Sequence, residues 1–313
     1  MSSEKCALYV IGGVTAAGKT ELALAWAEKH SAEILSCDSV SFYKGLDIGS
    51  AKPDLKQRNR VPHHGIDIFD LAETCDVGRF SLYAKELVDS ISRKGKPVLV
   101  VGGSGFYIQS FFKPVVDDIE VSPEIRHEVQ ASYEKNGLHA LVDQLREINP
   151  LGLNGLDYLN PRRVTRALER CMASGKSLQQ LKSEFEAKPK PFSNFTKKVL
   201  WLDRENDDLE QRIEKRTRQM VGDGLLEETS NLLAAGLSEN APASNSVGYR
   251  EAIACLKGDI SPADMELQIM SATRKLVTKQ RKWFRKYLPS GSRFLLDEDH
   301  SIQPDDLIWY AGS

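Results

Sequence analysis

Short apolar segments alternate with amphipathic ones over the N-terminal third of the chain. Cys6–Gly12 and Glu33–Ser36 have the pattern of buried strands, and between them a glycine-rich loop opens a helix from about Lys19 to His30. Pro97–Val101 is a third apolar strand, which runs into Gly102–Gly105 and a further helix. Strands that alternate with helices in this way are typical of βαβ units, so the pattern predicts a parallel sheet.

The pattern changes in the middle of the chain. Val121–Lys188 has the hydrophobic period of helices throughout and is flanked by prolines. Val199–Leu202 then returns as an apolar strand, and amphipathic helices follow it. Leu209, Ile213 and Met220 share one face of the first of these helices, because their spacing follows the helical period.

The last predicted helix is basic and runs from about Pro262 to Tyr287. Together these elements predict an α/β protein, in which a parallel sheet flanked by helices receives a helical insertion domain. We expect the core to comprise residues 1–118 and 196–313, and the insertion to comprise residues 119–195.

Composition narrows the class of protein. The 313 residues are 41% hydrophobic and 27% charged, which excludes a disordered chain, a collagen-like repeat and a coiled-coil rod. The apolar runs are far shorter than the ~20 residues that cross a bilayer, and the first residues are polar, so we expect neither a membrane segment nor a signal peptide. Five scattered cysteines offer no zinc motif and no disulfide framework. We expect a monomeric, cytoplasmic protein.

The net charge of −2 hides two basic clusters. Between Leu267 and Leu296 there is no Asp or Glu, and a second basic stretch begins at Arg162. Such clusters are either solvated helix faces or the positive surface that a nucleic acid contacts, and for either one alone the solvated face is the better interpretation. The cations are Arg274, Lys275, Lys279, Arg281, Lys282, Arg285, Lys286 and Arg293 in the first cluster and Arg162, Arg163, Arg166, Arg170, Lys176 and Lys182 in the second.

The strongest local motif is G-x-x-x-x-G-K-T directly after the first strand, a P-loop at the start of a helix. Its backbone amides and helix N-terminus bind phosphate, Lys19 reaches the terminal phosphates, and the Thr20 hydroxyl is the expected ligand of Mg²⁺. The motif makes the core P-loop NTPase-like but leaves open whether a nucleoside triphosphate or another diphosphate is bound. The predicted phosphate-binding residues are Gly13, Val14, Thr15, Ala16, Ala17, Gly18, Lys19 and Thr20.

Asp38 follows the second predicted strand, where open α/β sheets bind their ligands. Its carboxylate could serve as a general base, a metal ligand or a helix cap, and position alone does not separate these roles. The chain lacks a clear second magnesium-binding acid of the kind found in NTPases. Pro97–Val101 ends in two glycines, and Asp117-Asp118 lacks the further acid of a D-D-x-x-D cluster.

Further motifs are spread over almost the whole chain. They are Gly13–Thr20, Ser36–Ser39, Tyr43–Pro53, Val61–His64, Ile66–Ile68, Val101–Gly105, Tyr107-Ile108, Asn160–Glu169, Val247–Glu251, Thr273-Arg274, Lys279-Gln280 and Trp283–Arg285. In order and spacing they resemble the tRNA dimethylallyltransferases of the bacterial type. The tract Asp47–Pro53 is the most specific of them, since it is typical of this family among P-loop proteins.

The resemblance implies prenyl transfer. In this family the exocyclic amine of adenine 37, in the tRNA anticodon stem-loop, attacks the first carbon of dimethylallyl diphosphate. The P-loop, including Thr15, would hold the diphosphate with Mg²⁺, and Asp38 would accept the proton of the amine. Arg274 and Gln280 would lie beside the channel in which the substrates meet, and we expect Arg274 and Thr15 to join Asp38 in catalysis.

The resemblance also implies a set of tRNA contacts. They align with two short tracts of the core, one tract of the insertion and two single positions. The expected residues are Asp38, Ser39, Val40, Ser41, Ser104, Arg126, Arg162, Arg163, Val164, Thr165, Arg166, Asn245, Ser246, Val247, Gly248, Tyr249 and Arg250.

The chain departs from the family pattern at four places. Ser41 replaces a glutamine that helps to orient adenine, Cys75-Asp76 replaces a Tyr-Ser pair, and Lys282 replaces a threonine. The zinc finger of the eukaryotic members is absent from the sequence, which favours the bacterial type. Two alternative classes remain: an enzyme acting on free adenine nucleotides, either an isopentenyltransferase or a nucleotide kinase, and an RNA-binding protein without catalysis.

Overall fold

The computed structural model describes residues 6–296 and 304–312. Within them the core is a seven-stranded sheet whose main path has the order β3-β2-β4-β1-β5-β6 and is parallel throughout. β7 pairs antiparallel with β5. The strands are β1 Ala7–Gly13, β2 Glu33–Ser36, β3 His63–His64, β4 Val98–Gly102, β5 Thr196–Arg204, β6 Arg293–Leu296 and β7 Tyr310–Ala311.

Twelve α-helices lie in the described residues, several of them packed against the sheet. They are α1 Lys19–His30, α2 Leu55–Arg60, α3 Val77–Arg93, α4 Gly105–Gln109, α5 Pro123–Ile148, α6 Pro161–Ser174, α7 Leu178–Glu186, α8 Asn206–Gly222, α9 Leu225–Ala234, α10 Ala241–Ser244, α11 Tyr249–Leu256 and α12 Pro262–Tyr287.

The centre of the sheet is buried because its strands are apolar on both faces. Leu8, Val10 and Ile11 of β1 and Leu99 and Val100 of β4 are all completely buried. Continuous apolar runs of this kind are typical of parallel strands that helices cover on both sides. The predicted α/β fold with a parallel sheet is therefore confirmed.

Most predicted element bounds agree closely with the structure. Lys19–His30, Glu33–Ser36 and Pro262–Tyr287 are observed as predicted, while the strand predicted at Val199–Leu202 is longer and covers Thr196–Arg204. The sequence analysis did not predict α2, α3 or the short strands β3, β6 and β7.

Val116–Lys190 forms a separate compact helical unit. Its own core contains Leu141, Leu145, Val164 and Leu168, all at most 1% exposed. Side-chain caps start its helices: Ser122 caps α5, Asn160 caps α6 and Ser177 caps α7. Within α5 the backbone of Gly137 is not helical, so α5 consists of two helices joined by a kink.

No helix in the described part of the chain is long and apolar enough to cross a bilayer.

Candidate active site

The P-loop leaves β1 at the carboxyl edge of the sheet and wraps around the side chain of Lys19. Lys19 Nζ donates hydrogen bonds to the carbonyl oxygens of Gly13 at 3.0 Å and Val14 at 2.8 Å. A Cβ at position 13 would lie 2.9 Å from the carbonyl oxygen of Leu202, so this close approach requires glycine. Gly18 has φ +93°, a left-handed conformation that glycine adopts without strain. The sequence thus folds into a phosphate-binding loop whose lysine is already in place.

The environment of Lys19 changes its protonation. Burial lowers the pKa of its ammonium group to about 8, although Asp38 raises this pKa, and Arg216 lowers it further. A second cation and a carboxylate therefore act electrostatically on the P-loop lysine.

Asp38 lies just beyond the carboxyl end of β2, in a turn that packs against β4. Asp38 Oδ1 accepts a hydrogen bond from the amide of Val40 at 3.1 Å, and Oδ2 makes no hydrogen bond within the described part of the chain. The amide of Ser39 donates to Ser104 Oγ at 3.4 Å. A Cβ on Gly102 would lie 2.0 Å from the carbonyl oxygen of Cys37, so the glycine that ends β4 allows this turn to pack closely. The carboxylate is thus held by one oxygen and leaves the other available.

Asp38 lines two cavities of about 1000 Å³ each. We call them the P-loop cavity, lined by Gly18, Lys19 and Thr20, and the α12 cavity, lined by Lys275, Lys279 and Gln280. Both share one group of lining residues, which are Thr15, Asp38, Ser50, Arg216 and Met220. Asp38 is therefore the one carboxylate among the described residues that line both cavities.

Arg216 of α8 is a site residue that the sequence analysis missed. It lines both cavities, and burial lowers the pKa of its guanidinium while Asp38 raises that pKa. Its signal in the sequence is its position, since it lies three residues after Ile213 and four before Met220. Cations are rare on the apolar face of an amphipathic helix. Arg216 occupies this face because it lines the two cavities.

Gln280 connects the P-loop to the segment that follows β4. Its Oε1 accepts a hydrogen bond from the amide of Thr15 at 2.9 Å, and its Nε2 donates to the carbonyl oxygen of Gly103 at 3.1 Å. Only 9% of Gln280 is exposed. The Thr15 amide is therefore occupied by a side chain, while Thr15 itself lines both cavities.

Arg274 is not at this site. Its guanidinium forms an ion pair with Glu210 of α8, and it lines neither cavity, in contrast to its neighbours Thr273 and Lys275. On its face of α12 the Arg274 side chain points to Glu210, and a catalytic role for Arg274 stays a prediction.

The core residues expected to contact tRNA divide into two groups. Most line the α12 cavity, namely Asp38, Ser39, Val40, Ser104, Asn245, Ser246, Val247 and Arg250. Ser41 is 4% exposed and lines the P-loop cavity instead. Two further expectations are corrected, because the Tyr249 side chain is completely buried and the Gly248 amide is buried while donating to Glu251 Oε2 at 2.9 Å.

In the helical unit, the predicted contact residues of α6 are mostly on its surface. Arg162, Arg163 and Arg166 are exposed, and Arg163 pairs with Asp157 at 3.3 Å. Val164 is completely buried in the core of this unit, so the expectation of a tRNA contact by its side chain is corrected. Of the other expected positions in this unit, Thr165 is partly exposed and Arg126 is exposed.

The tract Asp47–Pro53 forms a loop that lines both cavities and is held by Glu228 of α9. The Glu228 carboxylate accepts hydrogen bonds from the amides of Asp47 at 3.1 Å, Ile48 at 2.7 Å and Gly49 at 3.1 Å. It also accepts the Tyr249 hydroxyl at 2.6 Å. The Tyr249 ring lies so close to Gly49 that a Cβ there would be 2.4 Å from it. This packing explains the glycine of the motif.

Comparison with known proteins identifies similar families and relatives. A family model described as IPP transferase matches residues 41–287, and one described as isopentenyl transferase matches residues 6–62. A tRNA dimethylallyltransferase from Opitutus terrae is 47% identical over 292 residues, which are 93% of this chain and 94% of that protein. One from Nitrosococcus oceani is 38% identical over 88% of this chain and 87% of its own length.

Solved structures are similar over the same extent. A tRNA isopentenylpyrophosphate transferase from Bacillus halodurans has a TM-score of 0.66 at 30% identity, covering 95% of this chain and 92% of that chain. A eukaryotic dimethylallyltransferase acting on tRNA has a TM-score of 0.79 at 26% identity, covering 93% of this chain and 74% of that chain.

Proposed function

The chain belongs to the tRNA dimethylallyltransferase family, and we propose that it prenylates the N6 amine of the adenosine at position 37, beside the anticodon. It is a prenyltransferase that transfers a dimethylallyl group to tRNA.

The observation that carries the proposal is that Asp38 lies where the two cavities meet. Dimethylallyl diphosphate binds in the P-loop cavity with its diphosphate on the P-loop. The adenine enters the α12 cavity from the side of Asn245 and Ser246. Binding the two substrates from opposite sides brings the amine and the first carbon of the prenyl chain together in a near-attack geometry.

The reaction forms a bond between N6 and the first carbon of the prenyl chain. At the same carbon the bond to the diphosphate oxygen breaks, and diphosphate leaves with the electron pair. The leaving group gains negative charge in the transition state, so donors fixed beforehand stabilise it more than they stabilise the ground state. Lys19, Arg216 and the P-loop amides supply those donors.

Asp38 takes up the proton that N6 loses. The adenine amine is a weak nucleophile because its lone pair is delocalised into the ring, so a positioned base assists its attack. The Val40 amide fixes Oδ1 at 3.1 Å, and Asp38 lines both cavities, so Oδ2 is the oxygen left to accept the proton. Asp38 is therefore the catalytic base of the proposal.

The residues of the P-loop cavity fit Mg²⁺ bound together with a diphosphate. The Thr20 hydroxyl lines this cavity and makes no hydrogen bond within the described residues. Mg²⁺ prefers oxygen ligands and commonly takes few from the protein, the rest coming from phosphates and water. We propose Thr20 as its protein ligand. When bound, the ion would neutralise charge on the diphosphate.

We propose that the tRNA is bound through its anticodon stem-loop. Asn245, Ser246, Lys275 and Lys279 line the α12 cavity, so polar and cationic groups surround the site of the adenine. The exposed arginines of α6, in the helical unit, contribute a second basic surface for phosphates.

The direct test is a comparison of acceptors. Purified protein is incubated with labelled dimethylallyl diphosphate and either tRNA or AMP, and the nucleosides are then analysed. We expect label in N6-dimethylallyl adenosine at position 37 of tRNA. Label in AMP would support an isopentenyltransferase of free nucleotides, and formation of ADP from ATP and AMP would support a nucleotide kinase.

A further inference from the structure

We infer that Phe106 is a stacking platform for an unpaired base of the tRNA next to the reacting adenine. This inference rests on the proposed function, because it assigns a subsite within the α12 cavity. The occupant is a nucleic-acid base, because the placement and the exposure of Phe106 and the charge of the cavity fit such a base.

The position of Phe106 is fixed close to Asp38. Ser104, at the start of α4, accepts a hydrogen bond from the amide of Ser39, the neighbour of Asp38 in the chain. Gly105 packs directly on the indole of Trp283, since a Cβ there would lie 2.3 to 2.8 Å from three ring atoms. Phe106 is the next residue, and it lines the α12 cavity together with Asp38.

Phe106 is exposed where its neighbours are buried. It is 51% exposed and lines the α12 cavity, while Ile108 is completely buried. Tyr107 packs its ring against Phe42 and Phe80, at centroid distances of 5.4 and 5.3 Å. Within the described residues the Phe106 ring has no aromatic partner. One ring of α4 is thus left free towards the cavity.

Trp283 and Phe284, two further aromatic residues of this cavity, are already packed, and Phe284 is completely buried. The Trp283 indole lies against Gly105 and contacts the rings of Phe284 at 5.4 Å and Tyr287 at 5.0 Å. A base entering the α12 cavity would therefore find its stacking surface at Phe106.

The charge of the cavity that Phe106 lines matches a nucleic-acid backbone. Lys275 and Lys279 line the same cavity, are exposed, and form no ion pair within the part of the chain that the structure describes. Arg274 and Arg281 of the same helix are instead paired with Glu210 and Asp203. Aromatic rings next to unpaired cations are the combination that binds single-stranded nucleic acids.

The experiment uses anticodon stem-loop RNAs with 2-aminopurine on the 5′ or the 3′ side of the reacting adenine. Stacking on a ring changes 2-aminopurine fluorescence. We expect a change with the native protein for one of the two probes, its loss in Phe106→Ala and Phe106→Leu, and its retention in Phe106→Tyr. Leu82→Ala, an exposed apolar residue of α3 outside the cavity, is the matched control.

Kinetics give a second readout. Loss of one stacked base should raise the KM for tRNA in Phe106→Ala about 5- to 150-fold. The KM for dimethylallyl diphosphate at saturating tRNA should stay constant, as should the thermal unfolding midpoint. The inference would be overturned if Phe106→Ala showed the same 2-aminopurine fluorescence change and the same KM for tRNA as the native protein. It would also be overturned if Phe106→Leu matched the native protein in both measurements. Failure of the native protein to prenylate the RNA would instead overturn the proposed function.

Discussion

The hydroxyl of Tyr249 donates a hydrogen bond to the carboxylate of Glu228 at 2.6 Å. Burial raises the pKa of Tyr249, and the neighbouring carboxylate raises this pKa further, so the hydroxyl remains a donor over the working pH range. Because Glu228 also accepts three amides of the loop Asp47–Gly49, this one contact joins that loop to the start of α11. The Glu228 side chain thereby fixes a loop that lines both cavities.

Glu228→Gln should loosen this loop. The amide side chain replaces one acceptor oxygen by a donor, which would face backbone N–H groups. Hydrogen bonds to a charged acceptor contribute about 1.5–3 kcal/mol each. We therefore expect the free energy of unfolding to fall by at least the contribution of one such bond. Thermal unfolding and the KM values for both substrates measure the effect, and both KM values should rise. Glu227→Gln is the matched control, and equal behaviour of the two variants would contradict the assignment.

Motifs that are local in the sequence could be predicted from it. The P-loop, its Lys19 and the carboxylate of Asp38 each lie at the end of a strand, where position alone indicates a ligand site. Gln280 could be identified in another way, because it belongs to a short motif of the last helix. What joins these residues is not local: the hydrogen bond from Thr15 to Gln280 spans 265 positions.

Arg216 and Glu228 illustrate what the sequence left undetermined. In the sequence both look like ordinary charged residues of amphipathic helices. Only the packing of α8 and α9 brings Arg216 to the cavities and Glu228 to the loop that lines them. The placement of Arg274 has the same origin. A neighbouring position on α12 lines the cavity, but a helix turns each residue by about 100°, so Arg274 meets Glu210 instead.

The affinity for dimethylallyl diphosphate should depend on pH through Lys19. Burial lowers its pKa to about 8, and only the protonated form attracts the diphosphate. The dissociation constant should therefore be constant below pH 8 and rise by up to about tenfold per pH unit above it. Titration calorimetry in two buffers with different ionisation heats should show proton uptake on binding at pH 8.5.

The control for this pH dependence is Lys19→Ala. This variant should bind dimethylallyl diphosphate weakly at every pH and take up no proton near pH 8, while its tRNA affinity stays close to native. A native affinity that is constant from pH 7.5 to 9 would argue against Lys19 as the titrating group. Equal loss of tRNA and diphosphate binding in the variant would indicate a folding defect.

Arg216→Gln should weaken transition-state stabilisation. The guanidinium lines the region shared by the two cavities, where charge develops on the leaving diphosphate. Removal of one such donor typically lowers kcat about 10²- to 10³-fold. Single-turnover kinetics at saturating substrates measure this directly. Arg218→Gln, on the same helix but exposed and paired with Glu214 and Glu266, should behave like the native enzyme. If both variants lose activity equally, Arg216 has no special role.

The salt dependence of tRNA binding should identify the phosphate contacts of α6. Each phosphate contact contributes about −0.7 to −0.9 to the slope of log affinity against log salt. Replacement of Arg162, Arg163 and Arg166 by alanine should therefore flatten the slope by about 2. Filter-binding or fluorescence titrations at several salt concentrations give this slope.

The matched control replaces Lys85, Arg93 and Lys94, three exposed cations in and just after α3, by alanine. It removes the same net charge from another part of the surface. If the two triple variants show the same slope, α6 makes no specific phosphate contact.

Asp38→Asn tests the catalytic base. Asparagine has nearly the same shape, and its Oδ1 still accepts the Val40 amide, so the turn after β2 should keep its structure. It cannot take up a proton from N6. Loss of a general base typically costs about 10²- to 10⁴-fold in rate, so kcat should fall by that factor.

The two KM values of Asp38→Asn should change little, because the lost interaction strengthens only as the amine becomes positive in the transition state. Radiolabel transfer to tRNA under saturating conditions measures kcat. A variant that keeps more than about a tenth of native turnover would rule out the general base, given the rate factor above. A variant that no longer binds tRNA would make Asp38 a recognition residue, since it lines the α12 cavity as well.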